Sequence, residues 1–516
     1  MILIPWAARR VGRPVKWLCT RSEAHVSDDD GRDNIVDAAL ALDRDGRFLA
    51  VKVRSWGNLG ASVSFRGAMP PVVHIGTVCG VYTTPAIHVA ISGMLTNTHC
   101  TSPYRGAGRP EASYIIERLI EIAADTIGMD PAELRRRNTI PADAMPYKTP
   151  LTYTYDSGRF EENMNRTMAL SNWSGFEARR AEARQRGLLR GIGLSNTIEF
   201  AADATLETAE IRFDPSGDVT LVTGSISHGQ GHATVQTQML VDRLGIDPDS
   251  VRIIQGDTDA VAFGMGTGGS RSTTMTSAAI VLVSEKIIAK GKRLAAHLLE
   301  ASEADIEFAD GRFAIAGTDR GMGIHEIAKA AFRLERLPRD MEPGLYETAT
   351  YRATTGNFPN GCHVCEVEID PEPGMTEVVG YWVVDDVGTV INPMLVKGQI
   401  MGGIAQGLGQ VLMEDKTYDP QTGQVLAGSF MDYAMPRAGD FCDVTIEDNP
   451  VPTPTNPLGV KGAGEAGTVG SLSAGVNAIV DALSVYGIRH IDTPCTPFRV
   501  WQAIEDARTG SQRLPL

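Results

Sequence analysis

The chain has 516 residues, 43% hydrophobic and 22% charged, with 48 basic against 63 acidic side chains and a formal net charge of −15. That length can bury at least two sizeable cores, because a single core stops growing near roughly 250–300 residues. The acidic balance argues against a nucleic-acid or acidic-membrane surface, no run reaches the ~20 apolar residues of a spanning helix, and the N-terminus lacks the regions of a signal peptide. A cytoplasmic protein is therefore expected.

In chain order, Asp43-Arg-Asp-Gly46 reads as the turn of a hairpin between alternating apolar runs. Residues 112–127 have the spacing of an amphipathic helix. A second helix starts at Asp130-Pro-Ala-Glu133, with a capping Asp, Pro in the first position and Glu three residues after the Asp. The Pro- and Tyr-rich stretch 141–155 reads as a connection, and 179–190 as a charged helical run with a solvated face. Asp214-Pro-Ser-Gly217 and Asp370-Pro-Glu-Pro-Gly374 mark two more hairpins. The seven cysteines, odd and sparse, fit reduced thiols. Cys362 and Cys365 lie on an alternating strand pattern that points them to opposite faces, so zinc is not expected. His25, His74 and His363 read as structural histidines.

Four glycine-rich segments carry the chemistry. Thr223–Gly231 runs into a helical pattern beginning at His232, and Gly264–Thr274 runs into another that reaches about Leu299. Free amides at a helix start, with the helix dipole, make a phosphate site, to which Ser270, Ser272, Thr273 and Arg271 add donors. Gly402–Gly409 sits inside a helical pattern, where each glycine costs about 1 kcal/mol relative to Ala, so tight packing or a ligand is expected. Pro457–Gly467 holds one carboxylate, Glu465, among glycines that strip side chains from the backbone, which suits a base facing a bulky cofactor. No P-loop, nucleophile elbow or His-Glu-x-x-His occurs. Gly462-Ala-Gly-Glu-Ala-Gly467 follows a Pro-rich stretch and not a buried strand, so it is not a Rossmann fingerprint.

Taken together, Tyr104-Arg-Gly-Ala-Gly-Arg-Pro-Glu-Ala112, Gln230-Gly-His232, Gly268-Gly-Ser-Arg-Ser-Thr273, Gln406-Gly-Leu-Gly409 and Gly459-Val-Lys-Gly-Ala-Gly-Glu465 resemble the molybdopterin-binding large subunit of the xanthine dehydrogenase, aldehyde oxidase and carbon monoxide dehydrogenase family. The resemblance covers nearly the whole chain. It implies an α+β fold of two elongated cofactor-binding domains of mixed sheets and helices with the cofactor between them, here residues 1–140 and 156–516, joined by 141–155. It also implies a molybdenum-molybdopterin cofactor, as the cytosine dinucleotide in bacterial members, held without protein side chains on the metal. By the same resemblance Gly229, Gln230, Gly231, His232, Gly268 to Thr273 (with Gly269), Gln406, Gly407, Lys461, Gly462 and Gly464 hold the cofactor. Glu465 becomes the base of an oxidative hydroxylation in which water supplies the oxygen.

The resemblance places iron–sulfur clusters and FAD on a small and a medium partner subunit, in a dimer of heterotrimers. Tyr104, Arg105, Gly106 and Arg109 would form the substrate loop. Carbon monoxide oxidising members carry a cysteine there to hold copper. This chain has Gly106-Ala107-Gly108 instead, with Cys100 displaced upstream, which favours an aldehyde or N-heteroaromatic substrate. Family large subunits begin with an additional domain and a Gly-Gly-Gly-Phe-Gly loop, whereas Met1–Lys16 resembles the helix after that loop. A separate chain supplying that part, an incorrectly started gene model and a noncatalytic truncated relative are the alternatives this leaves.

Overall fold

In a computed structural model that describes residues 2–510 apart from 73 and 204, with the backbone alone at 74, helices cover three mixed sheets. Strands Asn34–Leu42, Phe48–Gly60 and Ala86–Leu95 form the first, antiparallel then parallel. Its inner face, with Val51 and Val53, packs on helix Arg109–Ile127. The second has the order 346–352, 206–213, 219–223, 251–255 and is covered by the 28-residue helix Ser272–Leu299. The third has the order 444–448, 375–386, 360–370, 189–198.

The three acidic turns do join antiparallel strand pairs, and Asp130 caps helix Pro131–Asn138 by accepting from Glu133 N at 2.8 Å. The hydrophobic residues gather into three large clusters where two cores were the minimum expected. One of them joins Phe48 and Ile116 to Tyr155, Ile198 and Phe358, so stretch 141–155 is itself packed and residues distant in sequence share a core with the N-terminal sheet.

The arginines at 179–190 differ from the expected solvated face. Helix Phe176–Gln185 stops short of Arg186 and Arg190. Arg179 and Arg190 converge on Glu366, which is fully buried, while Arg186 and Arg190 hold Glu368. The missing signal is the partner: Glu366 and Glu368 lie on strand Asn360–Asp370, far from these arginines in the chain. His363 is structural, with Nδ1 2.8 Å from the Tyr381 hydroxyl, and His25 packs on Phe430 and Tyr433; the His74 side chain lies outside the described residues.

Helix Ala466–Leu483 organises the centre. Every residue in it but Asp481 is buried. Extended to Tyr486 it is long and apolar enough to cross a membrane, yet its apolar window is 83% buried inside the fold, as a core helix is. It lies directly on strand Leu189–Ile198: a Cβ at Gly193 would stand 2.2 Å from Ala474 O. Its other side takes helix Pro393–Leu412, where a Cβ at Gly407 would stand 2.0 Å from Ser471 Oγ. The glycines at 403 and 407 therefore serve helix packing and not a ligand. We expect Gly193→Ala to lower stability by about 1–3 kcal/mol, as overpacked cores do, read as a fall in denaturant midpoint. An unchanged midpoint would show that the helix can retreat from the strand.

Candidate active site

The consequence of that packing is a fixed N-terminus. Glu465 is the residue immediately before the buried helix, at the positive end of its dipole, and it retains 14% side-chain exposure. Its Oε1 accepts from Gly106 N at 3.0 Å. Its Oε2 pairs with Arg109 at 2.5 Å and accepts from Ser270 Oγ at 3.3 Å. The amide at 106 is presented by a run of positive φ, 96° at Gly106, 40° at Ala107 and 94° at Gly108, and a Cβ on Gly106 would stand 2.4 Å from Pro110 Cγ. Glycine at 106 is thus required both for the backbone angle and for the space.

Arg105 braces the same loop. Its Nε donates to Gly464 O at 2.6 Å, its Nη1 to Gln406 Oε1 at 2.8 Å and its Nη2 to Gln399 O at 3.0 Å. Gln406 Nε2 in turn donates to the Tyr104 hydroxyl, whose ring carries Arg32 at 4.7 Å. Burial holds the Arg105 guanidinium below its ordinary pKa, and burial with the charge of Glu414 holds the Tyr104 phenol above its own. Expected to touch substrate, Arg105 is instead occupied in positioning the Glu465 loop.

Arg109 is a stronger correction. It is 1% exposed and bridges Glu465 to Glu199 Oε1 at 3.3 Å, so it cannot reach a substrate carboxylate. Burial alone would lower its pKa, but the charges of Glu465 and Glu199 more than offset that and raise it. Glu199 was not singled out from the sequence. It follows strand Leu189–Ile198, and the available signal was a single acid closing a run that has no other.

The two glycine loops ahead of helices lie side by side. Thr267 Oγ1 donates to Ile226 O at 2.6 Å, and Gly266 N to Gly224 O at 3.2 Å. Helices His232–Leu244 and Ser272–Leu299 start from them. Nothing stands within 4 Å of where a Cβ would lie at Gly229, Gly266, Gly268 or Gly269, so bare backbone faces open space beside two helix N-termini. This is a bed of the kind a pyrophosphate or pterin edge needs, and the residues present fit such a group. Gly462 and Gly464 close against Ser270, which ties this bed to Glu465.

Several side chains expected at the bed turn away from it. Gln230 folds back on its own loop, its Oε1 accepting from His228 N. His232 is buried at the helix start, and burial followed by the charge of His228 lowers its pKa. Arg271 points inward to Glu207 at 2.9 Å and to Gly266 O and Leu206 O, bracing the loop. Ser272 is buried with its hydroxyl 3.0 Å from Thr267 Oγ1, and Thr273 is partly exposed. Gly407 is sealed by Ser471 in the helix contact already described.

Lys461 is fully buried on Asp386 at 2.6 Å, a structural pair and not a cofactor contact. Replacing it with Met should leave Asp386 uncompensated and cost about 3–5 kcal/mol, with cofactor content per folded molecule retained. Loss of cofactor from protein of unchanged stability would return Lys461 to the site.

Comparison with known proteins bears on the family and its cofactor. Models of a molybdopterin cofactor-binding domain match residues 1–139 and 166–442. The chain is 33% identical over 514 residues to the carbon monoxide dehydrogenase large chain of Hydrogenophaga pseudoflava, covering 96% of this chain and 64% of that one. It is 34% identical over 511 residues to the 6-hydroxypseudooxynicotine dehydrogenase complex subunit gamma of Paenarthrobacter nicotinovorans, covering 97% and 64%. Quinoline 2-oxidoreductase from Pseudomonas putida 86 superposes with a TM-score of 0.92 at 34% identity, over 98% of this chain and 66% of that one. The chain thus spans a little under two thirds of the curated relatives it matches. With two cofactor-binding domain models matched and the fold shared, the chain belongs to the molybdopterin cofactor-binding proteins of the molybdenum hydroxylase family.

Proposed function

We propose that this chain is the cofactor-bearing part of an enzyme that hydroxylates an aldehyde or N-heteroaromatic carbon with water as the oxygen source. The observation that carries the reading is Glu465: a partly exposed carboxylate at a helix N-terminus, fixed by a cation and an amide, beside an open glycine bed. When bound, the molybdenum centre supplies the two-electron oxidation of the substrate carbon. The protein's part is to hold, orient and move a proton. Arg109 and Ser270 hold Oε2, while Oε1, bonded to a neutral amide, is the oxygen that more readily takes up a proton. The amides at the starts of helices His232–Leu244 and Ser272–Leu299 would receive the cofactor's phosphates, in a cytosine dinucleotide form.

Substrate class rests on the Tyr104–Arg109 loop. It offers Gly106-Ala107-Gly108 where a copper-holding loop needs a thiol, and the Cys100 sulfur lies 3.1 Å from Ser62 Oγ. Two relatives near 34% identity bear names of nicotine-derivative and quinoline oxidation. The second reading, copper-assisted carbon monoxide oxidation, is favoured by the 33% identity to a carbon monoxide dehydrogenase large chain. Iron–sulfur and FAD subunits would carry electrons away from a cytoplasmic dimer of heterotrimers.

The deciding experiment is metal analysis of the protein purified with its partner subunits, together with dye reduction across aldehydes, purines and azines. We expect stoichiometric molybdenum, no copper, and turnover on one of these classes. Copper with carbon monoxide-driven reduction would establish the second reading, and absence of molybdenum from folded complex would reject both.

A further inference from the structure

Two carboxyls share one guanidinium in the centre of this site. Glu199 and Glu465 both pair with Arg109, and the two carboxyls lie within hydrogen-bonding reach of one another. The side chains of Glu199 and Arg109 are each 1% exposed, and Glu199 Oε2 is sealed from water. One buried cation cannot compensate two buried anions at close range, because like charges so placed are not both ionised in a medium of low dielectric. Of the two acids, Glu465 has the exposure, the amide of Gly106 and the helix N-terminus in its favour. Glu199 has none of these.

We infer that Glu199 is a positioning residue that keeps one proton inside the site, so that the Arg109 guanidinium serves Glu465 alone. The inference rests on the reading of Glu465 as the base. Two cations stand among the charged and titratable groups around Glu199, but Arg105 spends its donors on Gly464 O, Gln406 and Gln399, whereas Arg109 pairs directly with both acids. Arg105 and Arg109 face it from the substrate loop, Glu465 from the start of the central helix and Ser270 from the glycine bed. Tyr153 faces Arg109 from the 141–155 stretch, with Asp203 beyond it. Burial first, and the Glu465 charge second, push the Glu199 carboxyl up to about 8 against the pull of Arg109. Near neutral pH Glu199 is then a neutral acid, Arg109 is undivided, and Glu465 stays ionised and oriented. Above that range Glu199 ionises, Arg109 is shared, and the hold on Glu465 loosens.

The test is infrared difference spectroscopy of the purified complex, wild type minus Glu199→Gln, which isolates the C=O stretch of one protonated carboxyl. We expect that band at pH 7, with a midpoint near 8 for its loss. In Glu465→Gln the midpoint should move to lower pH, since the neighbouring anion that raises it is gone. The alkaline inflection of kcat/KM should vanish in Glu199→Gln, a change that a merely structural role would not produce. Absence of the band at pH 7, or a midpoint indifferent to Glu465→Gln, would overturn the inference. Should Glu199→Gln not fold, the comparison of wild type with Glu465→Gln decides the same question. A band that behaves as expected beside a Glu465→Gln enzyme that still turns over would support the shared proton while removing Glu465 as the base, so the two failures are distinct.

Discussion

Glu465→Gln is expected to lower turnover by about 10²–10⁴-fold, the range that a positioned general base contributes. Gln has nearly the same volume, so helix Ala466–Leu483 and the loop ahead of it should be undisturbed. What changes is chemistry at two atoms. Both oxygens of Glu465 accept hydrogen bonds, Oε1 from the Gly106 amide and Oε2 from Arg109 and Ser270. An amide can offer an oxygen to only one of those sets and must turn an NH2 toward donors at the other. The oxygen should go to Arg109, the stronger donor, leaving the Gly106 amide opposed by the new NH2. That mismatch costs about 1–3 kcal/mol locally and moves the loop slightly, while the loss of a proton acceptor removes the rate. Molybdenum and cofactor content should be retained, because the open glycines at 229, 266, 268 and 269 are untouched. Steady-state dye reduction alongside metal analysis separates the effects: near-normal kcat with full molybdenum would reject Glu465 as the base.

Much of this arrangement was legible in the sequence, for identifiable reasons. Glycine loops running into apolar-periodic helices mark helix N-termini whether or not the fold is known, and acidic turns mark hairpins. Gly462 to Glu465 stands out only in company, because a lone acid among glycines also fits a plain surface loop and the other glycine-rich segments are what tip the reading. The arginines were misread because a sequence shows a charge but not its partner. Arg109 and Arg271 look like anion binders, yet their carboxylates are 90 and 64 residues away in the chain. Arg179 and Arg190 find Glu366 more than 170 residues on. Glu199 carries only the faint local mark of a lone acid closing an edge strand, and its partner Arg109 lies 90 residues away. Gly403 and Gly407 hold the opposite lesson: glycines inside a helix can mean a neighbouring backbone as readily as a ligand, and only the contact with helix Ala466–Leu483 decides.

The second large effect is expected at Arg109. Arg109→Met keeps the aliphatic bulk of a residue that is 1% exposed but withdraws the cation that touches both Glu199 and Glu465. Breaking a buried pair by removing one partner costs about 3–5 kcal/mol, because an uncompensated charge is left behind. The sign of its pH dependence follows from protonation. Without the cation the Glu199 carboxyl is pushed further above its ordinary range and Glu465 loses the partner of its ionised form, so above the ordinary carboxyl range the folded variant binds more protons than the unfolded chain. Stability of the variant is therefore highest at low pH and is lost as pH rises. The deficit relative to wild type should be small near pH 5 and full near pH 8, read as denaturant midpoints at the two values. Arg109→Lys should recover part of the stability, since it returns the charge, but not the turnover, since a flexible ammonium does not reproduce the rigid guanidinium whose Nη2 fixes Glu465. A deficit equally large at both pH values would mean that Arg109 acts through packing, and the shared-cation account of how Glu465 is held would fall with it.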